Sequence, residues 1–307
     1  MKRARRIALA LGFAAAPAFA APAAKPAYGI LLLAHGGDPA WNAEIEKLRV
    51  AVASSAPAAL ALGMADPDTI QQAVDLLEAK HVSAIAVVPL FVNSNSEVMT
   101  QTRYALGLSE TPSEVMREAA RKRKDMPMPP GAEHHHMNMF SLKRVDHRAK
   151  IGLASALDAE PFVSIVLLER ARALSREPAK ETVILVAHGP VDDAAVKDWT
   201  TALAVHAAAI VKTGGFRGVR AALLRDDAAP EVRAKAVAEM RGMVEDAAKD
   251  GGRALVVPVL IARGGIEDKI PRDLAGLTFA WSGDALLPHA GFDLWVLKRA
   301  ESAMEHQ

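Results

Sequence analysis

Two histidines stand in matching sequence contexts. Leu33-Ala34-His35-Gly36-Gly37 closes the apolar run Tyr28 to Ala34 (YGILLLA), and His188-Gly189-Pro190 closes the run at 183–187 (VILVA). A neutral imidazole can ligate a divalent metal or take a proton near neutral pH. A carboxylate at a neighbouring strand end can share either task. The first context has such a carboxylate within reach. Ala84 to Pro89 (AIAVVP) leads into Leu90-Phe91-Val92-Asn93-Ser94-Asn95-Ser96-Glu97, a short-chained polar stretch that ends in an acid. In the second context Ala254 to Pro258 (ALVVP) leads into Leu260-Ile261-Ala262-Arg263-Gly264-Gly265-Ile266, with no ligand at the matching place. One competent centre is therefore expected, on His35 and Glu97, with His188 as its counterpart in the later half.

These residues need elements to hold them. Apolar runs without alternation suit strands buried on both faces of a parallel sheet. Each is followed by a helical stripe: Trp41, Ile45, Leu48 and Val52 after the first, Trp199, Leu203, His206 and Ile210 after the second. Ala65-Asp66-Pro67-Asp68 opens a helix through Leu77. Asp226-Asp227-Ala228-Ala229-Pro230-Glu231 opens one through Val244, each with acids and a proline suited to capping a first turn. The order strand, His-Gly turn, helix, strand, helix, strand-Pro thus occurs twice. This internal duplication predicts an α/β fold of two doubly wound parallel-sheet halves, in α/β/α layers. The halves are expected at 27–178 and 180–307, with Pro161 to Leu174 as the closing helix of the first. In such sheets, sites lie at the carboxyl ends of strands, where His35, His188 and Glu97 fall.

The first half carries an insert, 107–147, with no counterpart. It begins as a charged helix (Pro112 to Lys124), continues through Met126-Pro127-Met128-Pro129-Pro130-Gly131, and reaches His134-His135-His136-Met137-Asn138-Met139. Imidazoles and thioethers on a Pro-rich loop suit capture of Co2+, Ni2+, Cu2+ or Zn2+. Of the other histidines, His206 lies on an apolar stripe and reads as packed. His289 reads as a loop residue, and His81, His147 and His306 carry no usable pattern.

Composition removes several classes. The chain has 307 residues, 51% of them hydrophobic, so it is neither disordered nor fibrous. With no cysteine there is no disulfide scaffold, thiolate zinc site or Cys nucleophile. A net charge of +1 and 5% aromatics give no reason to expect nucleic acid. Lys2, Arg3, Arg5 and Arg6, the apolar run Ile7 to Phe19, and Ala18-Phe19-Ala20 form a signal-peptide pattern over residues 1–20. Export to the periplasm is expected, without stable membrane insertion, because no other apolar run approaches a spanning length.

The residues Leu33 to Gly37, Asp66-Pro67-Asp68, Val88-Pro89-Leu90-Phe91-Val92 and Leu168-Glu169-Arg170 resemble the class II tetrapyrrole metal-chelatase family, and within it the sirohydrochlorin cobaltochelatase branch. Val186 to Gly189, Val257-Pro258-Val259-Leu260 and Leu286-Leu287-Pro288-His289 repeat the pattern. The resemblance implies insertion of a divalent metal as substrate (Co2+ first, with Ni2+ or Fe2+ as alternatives) into a tetrapyrrole small molecule, without a nucleotide. The absence of a G-x-x-x-x-G-K-[ST] loop agrees. The family's first histidine matches His35; its usual second histidine aligns with Glu97 here and with Ile266 in the second half, a departure from the pattern. Asn93, Ser94, Ser96, Arg103 and Arg263 are the candidate donors to the ring carboxylates. A different reading is a non-catalytic periplasmic metal- or tetrapyrrole-binding protein. A histidine phosphohydrolase would want an arginine where Ala34 stands, and a serine hydrolase a G-x-S-x-G elbow that the chain lacks.

Overall fold

The computed structural model describes residues 28–124 and 141–305. The first half runs β1 (Tyr28–Ala34), α1 (Pro39–Ala53), β2 (Ala58–Leu62), α2 (Pro67–Glu78), β3 (Ala84–Pro89), α3 (Glu97–Ala105), α4 (Glu114–Lys124), β4 (Lys150–Leu153) and α5 (Pro161–Leu174). The second runs β5 (Glu181–Ala187), α6 (Asp193–Gly214), β6 (Gly218–Leu223), α7 (Pro230–Ala248), β7 (Arg253–Val259), α8 (Ile266–Asp273) and α9 (Phe292–Glu305). The sheet orders are β2-β1-β3-β4 and β6-β5-β7, and every pairing is parallel. Where β4 borders β3, the second sheet has a single parallel bridge, Leu255 to Ala280. The expected two doubly wound halves are present.

The continuous apolar runs have a direct cause. Alternate residues of a strand face opposite ways. In β1, Ile30, Leu32 and Ala34 face a core shared by both halves, while Leu31 and Leu33 face one closed by α2. In β5, Val183, Leu185 and Ala187 join that same shared core, and Ile184 and Val186 face a third, beneath α7. With both faces buried, these runs stay apolar, and the buried polar residues that open β5, Glu181 and Thr182, are hydrogen-bonded. Each fully buried Leu or Val contributes about 1.5–3 kcal/mol. Both helical stripes are buried as expected, Trp41 through Val52 on α1 and Trp199 through Ile210 on α6.

The closing helices are exchanged. The sequence places α5 at the end of the first half, yet it packs on β7 and α6; α9 in turn packs on α1, β3 and β4. Each half therefore completes the other's shell, and the shared core is continuous.

Helix starts differ between the halves. Asp66 caps α2 by accepting the Asp68 N–H at 2.9 Å, with Pro67 in the first turn, as expected. On α7 the expectation is corrected: the residue before Pro230 is Ala229, no side chain caps the helix, and Asp226 and Asp227 are occupied elsewhere. The insert supplies α4 as expected; His134, His135, His136 and the segment 1–20 lie outside the described residues. Among the described residues no helix is long and apolar enough to cross a membrane.

Candidate functional site

Each His-Gly turn is set by its glycine. Gly36 (φ +82°) and Gly189 (φ +78°) take the left-handed conformation that side chains disfavour. Each glycine carbonyl thereby accepts from the preceding imidazole: His35 Nδ1 to Gly36 O is 2.6 Å and His188 Nδ1 to Gly189 O is 2.8 Å. A carbonyl only accepts, so Nδ1 carries the proton and Nε2 is the basic nitrogen turned outward. That is the tautomer a metal ligand or proton acceptor needs. Asn42 clasps the first turn, accepting from Gly37 N–H and donating to Gly37 O.

Parallel pairing brings the companion segment alongside. β1 and β3 are neighbours with Leu33 opposite Pro89, so the turn at His35 and the stretch from Leu90 leave the same edge of the sheet. Ser96 caps α3, donating nothing to its own helix but accepting the Met99 N–H at 3.3 Å. This makes Glu97 the first helical residue, a position that favours an anion. Its Oε2 accepts from Ser113 Oγ at 2.7 Å, just ahead of α4, and the rest of the carboxylate is exposed. Among the described residues no hydrogen bond joins His35 to Glu97, and no group of three His, Asp or Glu could hold a metal. The two are placed at one edge, not linked.

Three of the five proposed donors are already engaged. Asn93 is buried, and its Oδ1 accepts from Asn95 N–H at 2.8 Å. Ser94 gives both its N–H and its hydroxyl to Asp158, at 2.6 Å each, and its oxygen accepts from Ala156 N–H. With Ser96 serving as a cap, both hydroxyls of the loop take part in holding it. Arg103, in the last turn of α3, and Arg263, beside Gly283 after β7, are exposed.

The second half is arranged differently. His188 Nε2 lies 3.1 Å from Asp227 Oδ2. With Nδ1–H given to Gly189, this contact is favourable only with a proton or a cation between the two atoms. The sequence reading missed Asp227 because it assigned both acids to the α7 cap; two acids ahead of a helix that needs one is the signal that could have found it. Asp226 meets Arg233 at 2.9 Å and also Lys269, while Arg233 reaches Asp273 at 2.8 Å. Burial alone would raise the Asp226 carboxyl, but the hydrogen bonds from Lys269 and Arg233 outweigh it and hold the group below its usual range. These side chains and Arg272 line a cavity of about 400 Å³. Ile266 is the first residue of α8, as Glu97 is of α3. The next residue, Glu267, is buried and accepts Gly264 N–H at 2.9 Å on Oε2, and among the described residues Oε1 has no hydrogen-bond partner.

His206 and His289 make contacts that hold the fold. His206 is packed as expected, with both ring nitrogens bonded, and burial pushes its pKa down against the pull of the Asp158 carbonyl. His289 meets Glu169 at 2.9 Å and the edge of Phe162.

No family model matches the chain, and no curated protein matches it in sequence. Solved structures do. With a TM-score of 0.59 and 16% identity, the chain is similar to SirB from Bacillus subtilis with Fe3+, over 91% of this chain and 98% of that one. The sirohydrochlorin chelatase SirB of Bacillus subtilis subspecies spizizenii in complex with cobalt gives 0.56 and 13%, over 91% and 95%. CbiX, described as the terminal enzyme for siroheme biosynthesis in denitrifying bacteria, gives 0.53 and 18%, over 90% and 99%. The fold is therefore that of the class II chelatases, and the chain covers 95–99% of those three proteins.

Proposed function

We propose that the protein is a metal chelatase that inserts a divalent metal into a tetrapyrrole such as sirohydrochlorin, without a nucleotide, with Co2+ the favoured metal and Ni2+ or Fe2+ the alternatives. The observation that carries this reading is the His35 turn. In a chelatase fold, at the carboxyl end of a central strand, it presents an exposed imidazole whose Nε2 is left basic by the Nδ1 bond to Gly36.

In this mechanism His35 Nε2 and the Glu97 carboxylate handle the metal and the pyrrole protons. The incoming M2+ displaces two ring N–H protons, so the metallated ring keeps its charge, and the two acceptors pass those protons to solvent. Ser113 holds the Glu97 carboxylate while leaving its other oxygen open. Arg103 and Arg263 are the exposed cations suited to ring carboxylates. The signal-peptide pattern at residues 1–20 supports action in the periplasm, and the His134-His135-His136 cluster is proposed to gather metal there.

The test mixes protein from Ala21 onward anaerobically with sirohydrochlorin and Co2+, Ni2+ or Fe2+, and follows the absorbance change. Acceleration over the protein-free rate that His35→Ala abolishes supports the reading. Binding of metal or tetrapyrrole without acceleration would replace it with the carrier reading.

A further inference from the structure

The loop that ends in Glu97 belongs to the first half in sequence, but a helix of the second half holds it. His206, 1% exposed on α6, donates Nε2–H to the main-chain carbonyl of Asp158 at 2.9 Å and accepts on Nδ1 from Ser164 Oγ at 2.8 Å. The carbonyl can only accept, which fixes this tautomer. Asp158 is a non-glycine residue at φ +40°, a conformation that persists only where its surroundings impose it. Its N–H donates to Val92 O, and its carboxylate takes both the N–H and the hydroxyl of Ser94. Two turns earlier on α6, Asp198 accepts from the Asn95 side-chain amide. Between these polar anchors Val92, Asn93, Trp199 and Leu203 line a cavity of about 10 Å³, room for about one water.

We propose that His206 is a positioning residue for the centre on His35 and Glu97: through Asp158 and Ser94 it fixes the loop 92–96, and so the start of α3 where Glu97 stands. The inference rests on the chelatase reading above. It assigns the second half a definite task, which is to clamp the metal-handling loop of the first. His206 touches neither metal nor tetrapyrrole in this arrangement. Its loss releases the loop 92–96 and with it the start of α3 that carries Glu97, whereas Arg263 follows β7 and is not part of this clamp.

The test compares His206→Leu, His206→Gln, Asp198→Ala and His35→Ala in the full chain from Ala21 onward. The readouts are kcat and KM for metal insertion into sirohydrochlorin and, separately, Co2+ affinity from the visible absorption of the bound ion without tetrapyrrole. Groups that orient a metal ligand are worth about 10- to 100-fold in affinity or rate. His206→Leu is therefore expected to lower kcat and Co2+ affinity by about tenfold or more, with KM for the tetrapyrrole changed by less than kcat. His206→Gln, which keeps a donor toward Asp158 and an acceptor toward Ser164, is expected to restore most of both. Asp198→Ala acts at the exposed end of the clamp and should shift kcat in the same direction by less. It provides the measurement should His206→Leu fail to fold, and wild-type kcat and Co2+ affinity in Asp198→Ala would then overturn the proposal. Wild-type values in a folded His206→Leu, alongside an inactive His35→Ala, overturn the positioning role and leave the chelatase reading standing. If the wild-type protein inserts no metal and His35→Ala leaves Co2+ affinity unchanged, the chelatase reading falls and the positioning role with it.

Discussion

The two His-Gly turns share a backbone and differ in what meets the outer imidazole nitrogen. Each follows the central strand of its sheet, and each has Nδ1 tied to the next carbonyl. The difference begins four residues beyond the second strand of each half, at Asp66 after β2 and Asp227 after β6. In the first half α2 starts at once, so Asp66 is buried as its cap and His35 keeps an open Nε2. In the second half α7 starts later and uncapped, and Asp227 is left to meet His188. A shift in one helix start thus decides whether a duplicated histidine is open or engaged. The same shift frees Asp226 for its ion pairs with Arg233 and Lys269.

The sharpest way to break this comparison is to remove each histidine in turn. His35→Ala is expected to lower metal insertion by about 10²- to 10⁴-fold, the range for a lost acid-base group, while His188→Ala leaves the rate close to that of the unmutated protein. The reverse result would make the engaged dyad the working centre. Next in size, Glu97→Ala should cost about 10- to 100-fold in initial rate; a wild-type rate would show that His35 needs no partner on α3.

Stability tests the turns themselves. Gly189→Ala and Gly36→Ala each force a left-handed alanine, at about 1–2 kcal/mol. The new Cβ at 189 would sit 3.0 Å from Leu223 Cβ, while at 36 the nearest atoms are 3.5 Å away. Denaturant melts should therefore show the larger loss at Gly189, and equal losses would mean the turns are not packed as described.

His206 gives a pH signature. Burial holds its folded pKa below the ordinary histidine value. The unfolded chain then binds a proton that the folded chain refuses, so this residue's effect on stability is absent well above about pH 6.5 and destabilising as pH falls through it, with a slope of at most about 1.4 kcal/mol per pH unit. His206→Gln should flatten that part of the profile. The smallest effect is expected of Asp227→Asn. Its carboxylate is 67% exposed, so the contact with His188 is worth under about 1 kcal/mol and the melting temperature should barely move.

Much of this arrangement is written locally. The runs at Tyr28 to Ala34 and 183–187 can be apolar throughout only if both faces of each strand are buried, and that requirement, repeated twice, specifies a doubly wound fold. Histidine followed by glycine at each strand end likewise specifies the turn and the tautomer, because only the glycine bends the carbonyl back onto the ring. What the sequence could not determine depends on partners far along the chain. The exchange of α5 and α9 leaves no local trace, since a helix that buries one face looks the same whichever half it covers. Ser94 reads as a free hydroxyl until Asp158, 64 residues on, is folded against it. Asp227 reads as a cap until the later start of α7 turns it to His188. Residue types and local spacing thus determined the elements and the chemistry available, while long-range packing decided which of those groups were left open to perform it.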